Sequence, residues 1–195
     1  MLSYLIACYK KHSIKFIGVI TLPCAFLMIG LGLMANPQIQ NLPATFHTLW
    51  LIVHILFAKI TVGSGFIALG CSIFYLIKAK KKSGNTFVQK LPDPVSLDSY
   101  SFQFFGMAFV FWTISVIAGA IWAHKSWGRY WAWDPIETWS LLTWLAFGIY
   151  MHLRRFHGLK EKKAAIFIIC CFGLVILTLF LVPFITNTVH TEYML

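Results

Sequence analysis

The chain has 195 residues, of which 59% are hydrophobic and 11% are charged, and its mean hydropathy is +0.76. Soluble globular domains carry about 25% charged residues and about 45–50% apolar residues, so the composition excludes an ordinary soluble domain. The 18 Phe, 8 Trp and 7 Tyr also exclude a disordered chain. At about 20 residues for each helical crossing of a membrane, the length allows five or six crossings.

Five apolar stretches are long enough to cross a bilayer. Because backbone groups in lipid must satisfy their hydrogen bonds within one segment, these stretches predict helices and an all-α fold. We expect a polytopic membrane helix bundle that forms a single membrane domain over residues 1–195. The first stretch is too long for the apolar core of a signal peptide, so we expect it to be retained. The predicted helices cover residues 14–34, 49–77, 100–122, 138–153 and 164–186.

Lysine and arginine predict the orientation of these helices. They cluster before the first stretch, between the second and third, and between the fourth and fifth, as Lys10, Lys11, Lys15, Lys78, Lys80, Lys81, Lys82, Lys90, Arg154, Arg155, Lys160, Lys162 and Lys163. With five crossings these segments lie on one face, and the positive-inside rule makes that face cytoplasmic. The N-terminus is then cytoplasmic and the C-terminus outside. The net charge of +10 is thereby accounted for, and we expect no nucleic-acid partner.

A tryptophan-rich segment separates the third and fourth predicted helices, on the outer face. Its aromatic side chains are Trp127, Tyr130, Trp131, Trp133 and Trp139. Such rings can form a flat, amphipathic platform for a large planar ligand. We therefore expect an external ligand-binding loop over residues 123–138.

Two acidic residues in this segment have a structural interpretation. Asp134-Pro135-Ile136-Glu137 at the start of an apolar helix is typical of a capping box, with Asp134 as the N-cap. The nearby cations Lys125 and Arg129 leave a second interpretation open, in which they pair with an anionic group of a ligand.

Histidines provide the second functional signal. His54 lies about a turn and a half below the outer end of the second helix, His47 precedes it on the same helical face, and His190 follows the fifth helix. His152 lies near the inner end of the fourth helix, about 20 Å deeper than Trp139. Lys59 lies within a predicted span, and it could line a water-filled cavity, meet a ligand carboxylate or face a partner.

The tryptophan-rich segment resembles the WWD signature of haem-handling proteins in cytochrome c biogenesis. Its Trp-Asp-Pro-x-Glu-Thr-Trp form is closest to the CcsA (ResC) proteins of system II, with the CcmC proteins of system I as relatives. CcsA proteins generally have more spans, and this chain resembles their carboxy-terminal part. The resemblance covers residues 45–193 and rests on Gly119-Ala120-Ile121-Trp122-Ala123, on Trp127-Gly128 and Tyr130 through Trp139, and on the sequences around His54, His152 and His190.

The resemblance implies a set of site residues. His54 and His190 would be the axial ligands of a haem iron on the outer face, and His152 would belong to a pair that takes haem from the inner side. The haem would be non-covalent haem b in transit. The haem-contacting residues would be Trp127, Gly128, Tyr130, Trp131, Trp133, Asp134 and Trp139.

The resemblance also implies an activity and its partners. The protein would present haem to the Cys-x-x-Cys-His motif of an apocytochrome c, as part of a haem lyase complex with a ResB/CcsB-like membrane protein. The membrane would be a bacterial inner membrane or a thylakoid-type membrane. Alternatives are CcmC-like delivery of haem to a chaperone, a membrane cytochrome b anchor for electron transfer, and a structural or transport protein without haem.

Overall fold

The computed structural model describes Gly18, residues 48–80 and residues 86–186, and these residues form helices joined by short connections. Within this part of the chain there is no strand, which confirms the predicted all-α fold. The helices are α1 (Leu49–Lys80), α2 (Thr86–Lys90), α3 (Pro94–Trp127), α4 (Pro135–Phe156) and α5 (Glu161–Ile176), followed by a π-helical segment (Leu177–Leu181) and α6 (Val182–Ile185).

Three of these helices are long and apolar enough to cross a membrane: α1, α3 and the continuous helix Glu161–Leu181. They correspond to the second, third and fifth predicted spans, and they confirm a multi-pass membrane helix bundle. Helix α4 has 22 residues, a length of about 33 Å, and coincides with the fourth predicted span. The first predicted span, apart from Gly18, lies outside the described residues. The sidedness of the termini stays a prediction.

Small side chains let the spanning helices approach one another closely. Lipid offers no hydrophobic driving force between helices, so close packing of small residues is what holds them together. On α1 such residues recur every three or four positions and are buried, at Thr61, Ser64, Gly65, Ala68, Cys71 and Ser72. Helices α3, α4 and α5 complete the core with Phe105, Phe147, Tyr150 and Ile168.

One end of the bundle, which we call the basic end, is where α1 ends, α3 begins and α4 is followed by α5. Arg154 forms a bidentate ion pair with Asp98, with nitrogen–oxygen distances of 2.6 and 3.0 Å. The same guanidinium donates to the carbonyl of Leu159 at 3.0 Å and lies 5.1 Å from the ring centre of Phe102. Lys78 donates to the carbonyl of Leu91 at 2.6 Å. These contacts involve α1, α3, α4 and the connections that precede α3 and α5.

The opposite end, which we call the aromatic end, is where α3 turns into α4. Gly128 closes α3 with a φ of 74°, a left-handed conformation that glycine adopts readily, and its N–H donates to the carbonyl of His124 at 2.8 Å. Residues 128–134 are the non-helical part of the predicted loop 123–138, and the remainder of that segment belongs to the two helices.

Candidate functional site

The aromatic end contains a partly open cavity of about 130 Å³ between α1, α3, α4 and the π-helical segment. Most of its wall is apolar, and a few polar groups converge on it. The lining residues include His54, Ser115, Gly119, Tyr130, Trp131 and Glu137. The cavity thus brings together a histidine from a spanning helix and two rings of the tryptophan-rich segment.

His54 is held against the backbone of α3. Its Nδ1 lies 2.8 Å from the carbonyl oxygen of Ser115 and 3.2 Å from the Ser115 hydroxyl, which itself donates to the carbonyl of His54 at 2.9 Å. A carbonyl oxygen can only accept, so Nδ1 carries the proton in this contact, and in the neutral imidazole Nε2 then carries the lone pair. Metal-binding histidines are commonly oriented by this type of hydrogen bond.

The ring of His54 also lies directly over Gly119. A β-carbon at that position would be 2.7 Å from Nδ1 and 3.0 Å from Cε1 of His54, which is closer than van der Waals contact allows. Gly119 follows Ser115 by one helical turn, so both residues lie on the same face of α3. The absence of a side chain at Gly119 is therefore what permits the ring to occupy its position.

The aromatic residues form a wall and a rim rather than one plane. Tyr130 stacks on His124 with ring centres 4.1 Å apart and an interplanar angle of 9°. Trp127 meets Trp122 edge-on at 4.8 Å. Trp131 meets Trp133 edge-on at 6.0 Å, and Trp133 is 69% exposed with a φ of 59°. Tyr130, Trp131 and Trp122 line the cavity, whereas Trp133 lies at the surface.

Trp131 presents a polar group without a hydrogen-bond partner in the part of the chain that the structure describes. Its indole Nε1 is buried and has no hydrogen-bond partner among the described residues. A buried donor that stays unpaired costs about 1–3 kcal/mol. Because Trp131 lines the cavity, an acceptor on a bound molecule would satisfy this donor.

The capping box predicted for Asp134 and Glu137 is confirmed. The carboxylate of Asp134 accepts from the backbone N–H of Ile136 at 3.3 Å, and Glu137 accepts from the N–H of Asp134 at 3.3 Å. Glu137 also accepts from the N–H of Ala132 at 2.7 Å. The two carboxylates therefore order the backbone of residues 132–136.

Several polar contacts that support the cavity were not among the sequence predictions. Trp112 donates to the carbonyl of Ser140 at 3.2 Å, and the hydroxyls of Thr143 and Thr178 lie 3.0 Å apart. The roles of Ser115 and Gly119 were also missed. The signal available in the sequence is spacing, because Trp112, Ser115, Gly119 and Trp122 recur at intervals of three or four residues and so share one face of α3.

The remaining predicted site residues lie elsewhere. Trp139 is in α4, where its carbonyl accepts from the Thr178 hydroxyl at 3.4 Å. His152 is exposed at the basic end, about 22 Å along α4 from Glu137, and its ring lies 5.5 Å from that of His157. Lys59 is exposed on α1. His47 and His190 lie outside the described residues.

The described residues contain no group of three or more His, Cys, Asp or Glu side chains that could hold a metal ion. A bare metal ion would need such a group. Iron already held by a porphyrin needs only one or two axial ligands from protein, and a histidine is a common one. One histidine beside the cavity is therefore compatible with a haem.

These features define a multi-pass helical membrane protein with a cavity of histidine and tryptophan residues at one end of its bundle. The family model described as "Cytochrome C assembly protein" matches residues 1–190. The chain therefore belongs to the cytochrome c assembly protein family.

Individual relatives support this assignment and confirm the predicted resemblance to CcsA proteins. The "Cytochrome c biogenesis protein CcsA" of Chlamydomonas reinhardtii is 37% identical over 157 residues, which cover 78% of this chain and 44% of that protein. The protein of the same name from Trieres chinensis is 33% identical over 197 residues, covering 84% and 63%. That of Crocosphaera subtropica is 41% identical over 104 residues, covering 53% and 30%. The chain spans less than two thirds of the length of these relatives.

Proposed function

We propose that this chain holds haem at its aromatic end during cytochrome c assembly, with Nε2 of His54 as an axial ligand of the iron. The observation that carries the proposal is the contact of His54 Nδ1 with the carbonyl of Ser115 beside a cavity walled by the tryptophan-rich segment. Membership of the cytochrome c assembly protein family supports it.

The chemistry of the cavity suits a porphyrin. Tyr130, Trp131 and Trp122 supply aromatic surface. Nε1 of Trp131, which has no partner among residues 48–80 and 86–186, supplies a donor for an acceptor such as a carboxylate. The enclosed volume of about 130 Å³ is below the range of about 300–1,000 Å³ for small-molecule sites. A molecule as large as haem would therefore extend beyond the described part of the cavity. His190, as the second axial ligand, remains part of the proposal.

Haem is cargo in this proposal. It supplies vinyl groups, across which cysteine thiols of an apocytochrome c add, so that a C–S bond forms, the thiol hydrogen passes to the neighbouring carbon and no oxidant is consumed. The chain contributes binding and orientation through His54 and the rings around it. A ResB/CcsB-like partner, the inner haem site at His152 and a bacterial inner or thylakoid-type membrane belong to the same proposal.

The positions of the histidines argue against the simplest cytochrome b anchor. His54 borders the cavity at the aromatic end, whereas His152 lies at the basic end. These two side chains therefore cannot be ligands of one haem. The transfer measurement described below distinguishes haem in transit from a permanent haem that His54 holds alone or with another ligand.

The test is the visible spectrum and haem content of the protein purified in detergent after co-expression with its genomic neighbours. His54→Ala is compared with wild type and with His157→Ala, a matched removal of an imidazole at the basic end. We expect His54→Ala to lose the low-spin haem spectrum and added imidazole to restore it, while His157→Ala resembles wild type. Undiminished haem in His54→Ala would refute the assignment.

A second measurement tests transfer. The haem-loaded protein is mixed with a reduced peptide that carries Cys-x-x-Cys-His, together with the co-expressed membrane partner, and haem staining after denaturing electrophoresis reports covalent attachment. We expect stained peptide with wild type and none with His54→Ala. Haem that stays on the wild-type protein would favour a permanent electron-transfer role.

A further inference from the structure

We infer that Ser115 and Gly119 form a seat on α3 that fixes both the tautomer and the ring orientation of His54. They act as positioning residues, because neither would touch the iron. The inference rests on the proposed function of His54 as a haem ligand, and it assigns a role to two residues of α3 that the resemblance leaves without one.

The first part of the seat is a reciprocal pair of hydrogen bonds between α1 and α3. His54 Nδ1 donates to the carbonyl of Ser115 at 2.8 Å, and the Ser115 hydroxyl donates to the carbonyl of His54 at 2.9 Å. These residues are 61 positions apart in the chain, and Ser115 is only 1% exposed. The first bond places the proton on Nδ1, and the second fixes the backbone from which the ring projects.

The second part of the seat is the bare backbone at Gly119. The β-carbon of any other residue would lie 2.7 Å from Nδ1, 3.0 Å from Cε1 and 3.5 Å from Cγ of His54. The ring or one of the helices would have to move to relieve the contact with Nδ1. Either movement lengthens the hydrogen bond to Ser115, since the same nitrogen is involved in both contacts.

The seat has a consequence for a bound metal. A hydrogen bond from Nδ1–H to a carbonyl increases the basicity of the ligating Nε2 and holds the ring plane, and partners of this kind affect metal affinity by about 10- to 100-fold. It also gives a physical reason for glycine at the start of the Gly-Ala-Ile-Trp-Ala sequence. The small residue is required by the imidazole of another helix rather than by a turn.

The first experiment compares Gly119→Ala with Gly63→Ala. Both changes add one methyl group to a spanning helix, but a β-carbon at Gly63 meets no atom within 4 Å. The readouts are haem affinity, measured by titrating hemin into the full-length protein depleted of haem, the midpoint potential, and the low-spin electron paramagnetic resonance spectrum. We expect Gly119→Ala to lose about 10- to 100-fold in affinity and to shift both other readouts. Gly63→Ala should match wild type.

The second experiment removes the hydroxyl without adding an atom. Ser115→Ala keeps the carbonyl that accepts from Nδ1, so we expect a smaller loss of haem affinity than in Gly119→Ala. The electron paramagnetic resonance spectrum and the midpoint potential of the haem should still change. Its matched control is Ser72→Ala, which removes an equally buried hydroxyl that bonds within its own helix, to the carbonyl of Ala68. Circular dichroism and gel filtration show whether each variant is folded.

The outcomes separate the two proposals. If His54→Ala retains the haem spectrum, the proposed function fails. A second outcome is that His54→Ala loses the haem spectrum while Gly119→Ala and Ser115→Ala match their controls in haem affinity, midpoint potential and electron paramagnetic resonance spectrum. In that case only the inference about Ser115 and Gly119 is overturned. Because Ser115→Ala creates no clash, a match to Ser72→Ala in all three readouts would overturn the role of the Ser115 hydroxyl even if Gly119→Ala does not fold.

Discussion

At the basic end an ion pair joins α3 to α4, whereas at the aromatic end neutral hydrogen bonds join α1 to α3 and carboxylates order the turn into α4. Arg154 is enclosed by Asp98, the carbonyl of Leu159 and the ring of Phe102. At the other end, the reciprocal bonds of His54 and Ser115 connect α1 to α3, and the carboxylate of Glu137 orders the turn into α4. The two ends of the same helices are thus stabilised by different chemistry.

The difference indicates where the molecule can bind something else. The guanidinium of Arg154 is directed to groups of the chain itself, and the Asp98 carboxylate also accepts from the N–H of Glu161 at 3.2 Å. The aromatic end has a cavity and, among the described residues, a buried Trp131 nitrogen without an acceptor. The ion-paired network thus lies at one end, and the cavity lined by His54 and Trp131 lies at the other.

The largest effect is expected from Asp98→Ala. The side chains of Arg154 and Asp98 are only 9% and 14% exposed, so removing the carboxylate leaves a mostly buried cation without its partner. Loss of one member of such a pair costs about 3–5 kcal/mol. Thermal unfolding in detergent, monitored by tryptophan fluorescence, measures this loss of stability.

The matched control is the double variant Asp98→Leu/Arg154→Met, which removes both charges and should recover much of the loss. Haem bound at the aromatic end, measured as the low-spin spectrum that His54→Ala abolishes, should stay at the wild-type level per folded molecule in both variants. Loss of that spectrum from correctly folded Asp98→Ala would contradict the separation between the two ends.

At the aromatic end, Glu137→Ala should destabilise the protein by about 1–3 kcal/mol, because two backbone N–H groups lose their acceptor. Hydrogen exchange should accelerate at Ala132 and Asp134, whose N–H groups donate to Glu137 at 2.7 and 3.3 Å. Glu137→Gln retains an acceptor oxygen and should restore part of the protection. Unchanged exchange at both amides would show that the carboxylate does not order this turn.

A smaller effect is expected from the buried hydroxyl pair that joins α4 to the π-helical segment. Thr178→Val removes one hydroxyl and leaves Thr143, 3.0 Å away, without that partner, at a cost of about 1 kcal/mol. The double variant Thr143→Val/Thr178→Val should be close to wild type, because no hydroxyl is then left unpaired. Additive losses in this double-mutant cycle would argue against a direct interaction.

The smallest effect is expected from pH at the start of α3. The backbone N–H of Ser96 donates to the Asp93 carboxylate at 2.9 Å and holds the pKa of Asp93 below its ordinary value. A lowered pKa stabilises the fold above the unfolded-state pKa, and the contribution is lost as the pH falls through the folded-state value. The difference in melting temperature between wild type and Asp93→Ala should therefore narrow on acidification. A difference in melting temperature that does not change with pH would contradict the lowered pKa of Asp93.

Much of the fold follows from the sequence. Apolar runs predict the spanning helices, and the Asp-Pro-x-Glu pattern predicts the start of α4 at Pro135. Helix α3 begins at Pro94, before the predicted residue 100, because Asp93 is an N-cap and helix structure continues beyond the apolar run. The site was predicted only in part. His54, Tyr130 and Trp131 come together at the cavity, but the contacts of Ser115 and Gly119 with His54 depend on how α1 and α3 are rotated against each other. Helices that are apolar on all sides do not encode that rotation in a simple periodicity.

The π-helical segment has a consequence for the wall of the cavity. Val182 donates to the carbonyl of Leu177, so the segment contains one residue more than an α-helix would, and every following residue is rotated by about 100°. This rotation places Pro183 beside Thr178 and Leu179 on the cavity, and proline contributes no N–H to the helix. The wide turn of the π-helical segment and the missing backbone N–H of Pro183 thus lie within a few residues of each other. The wall formed by this helix therefore combines two of the features at which helices kink, a π-helical turn and a proline.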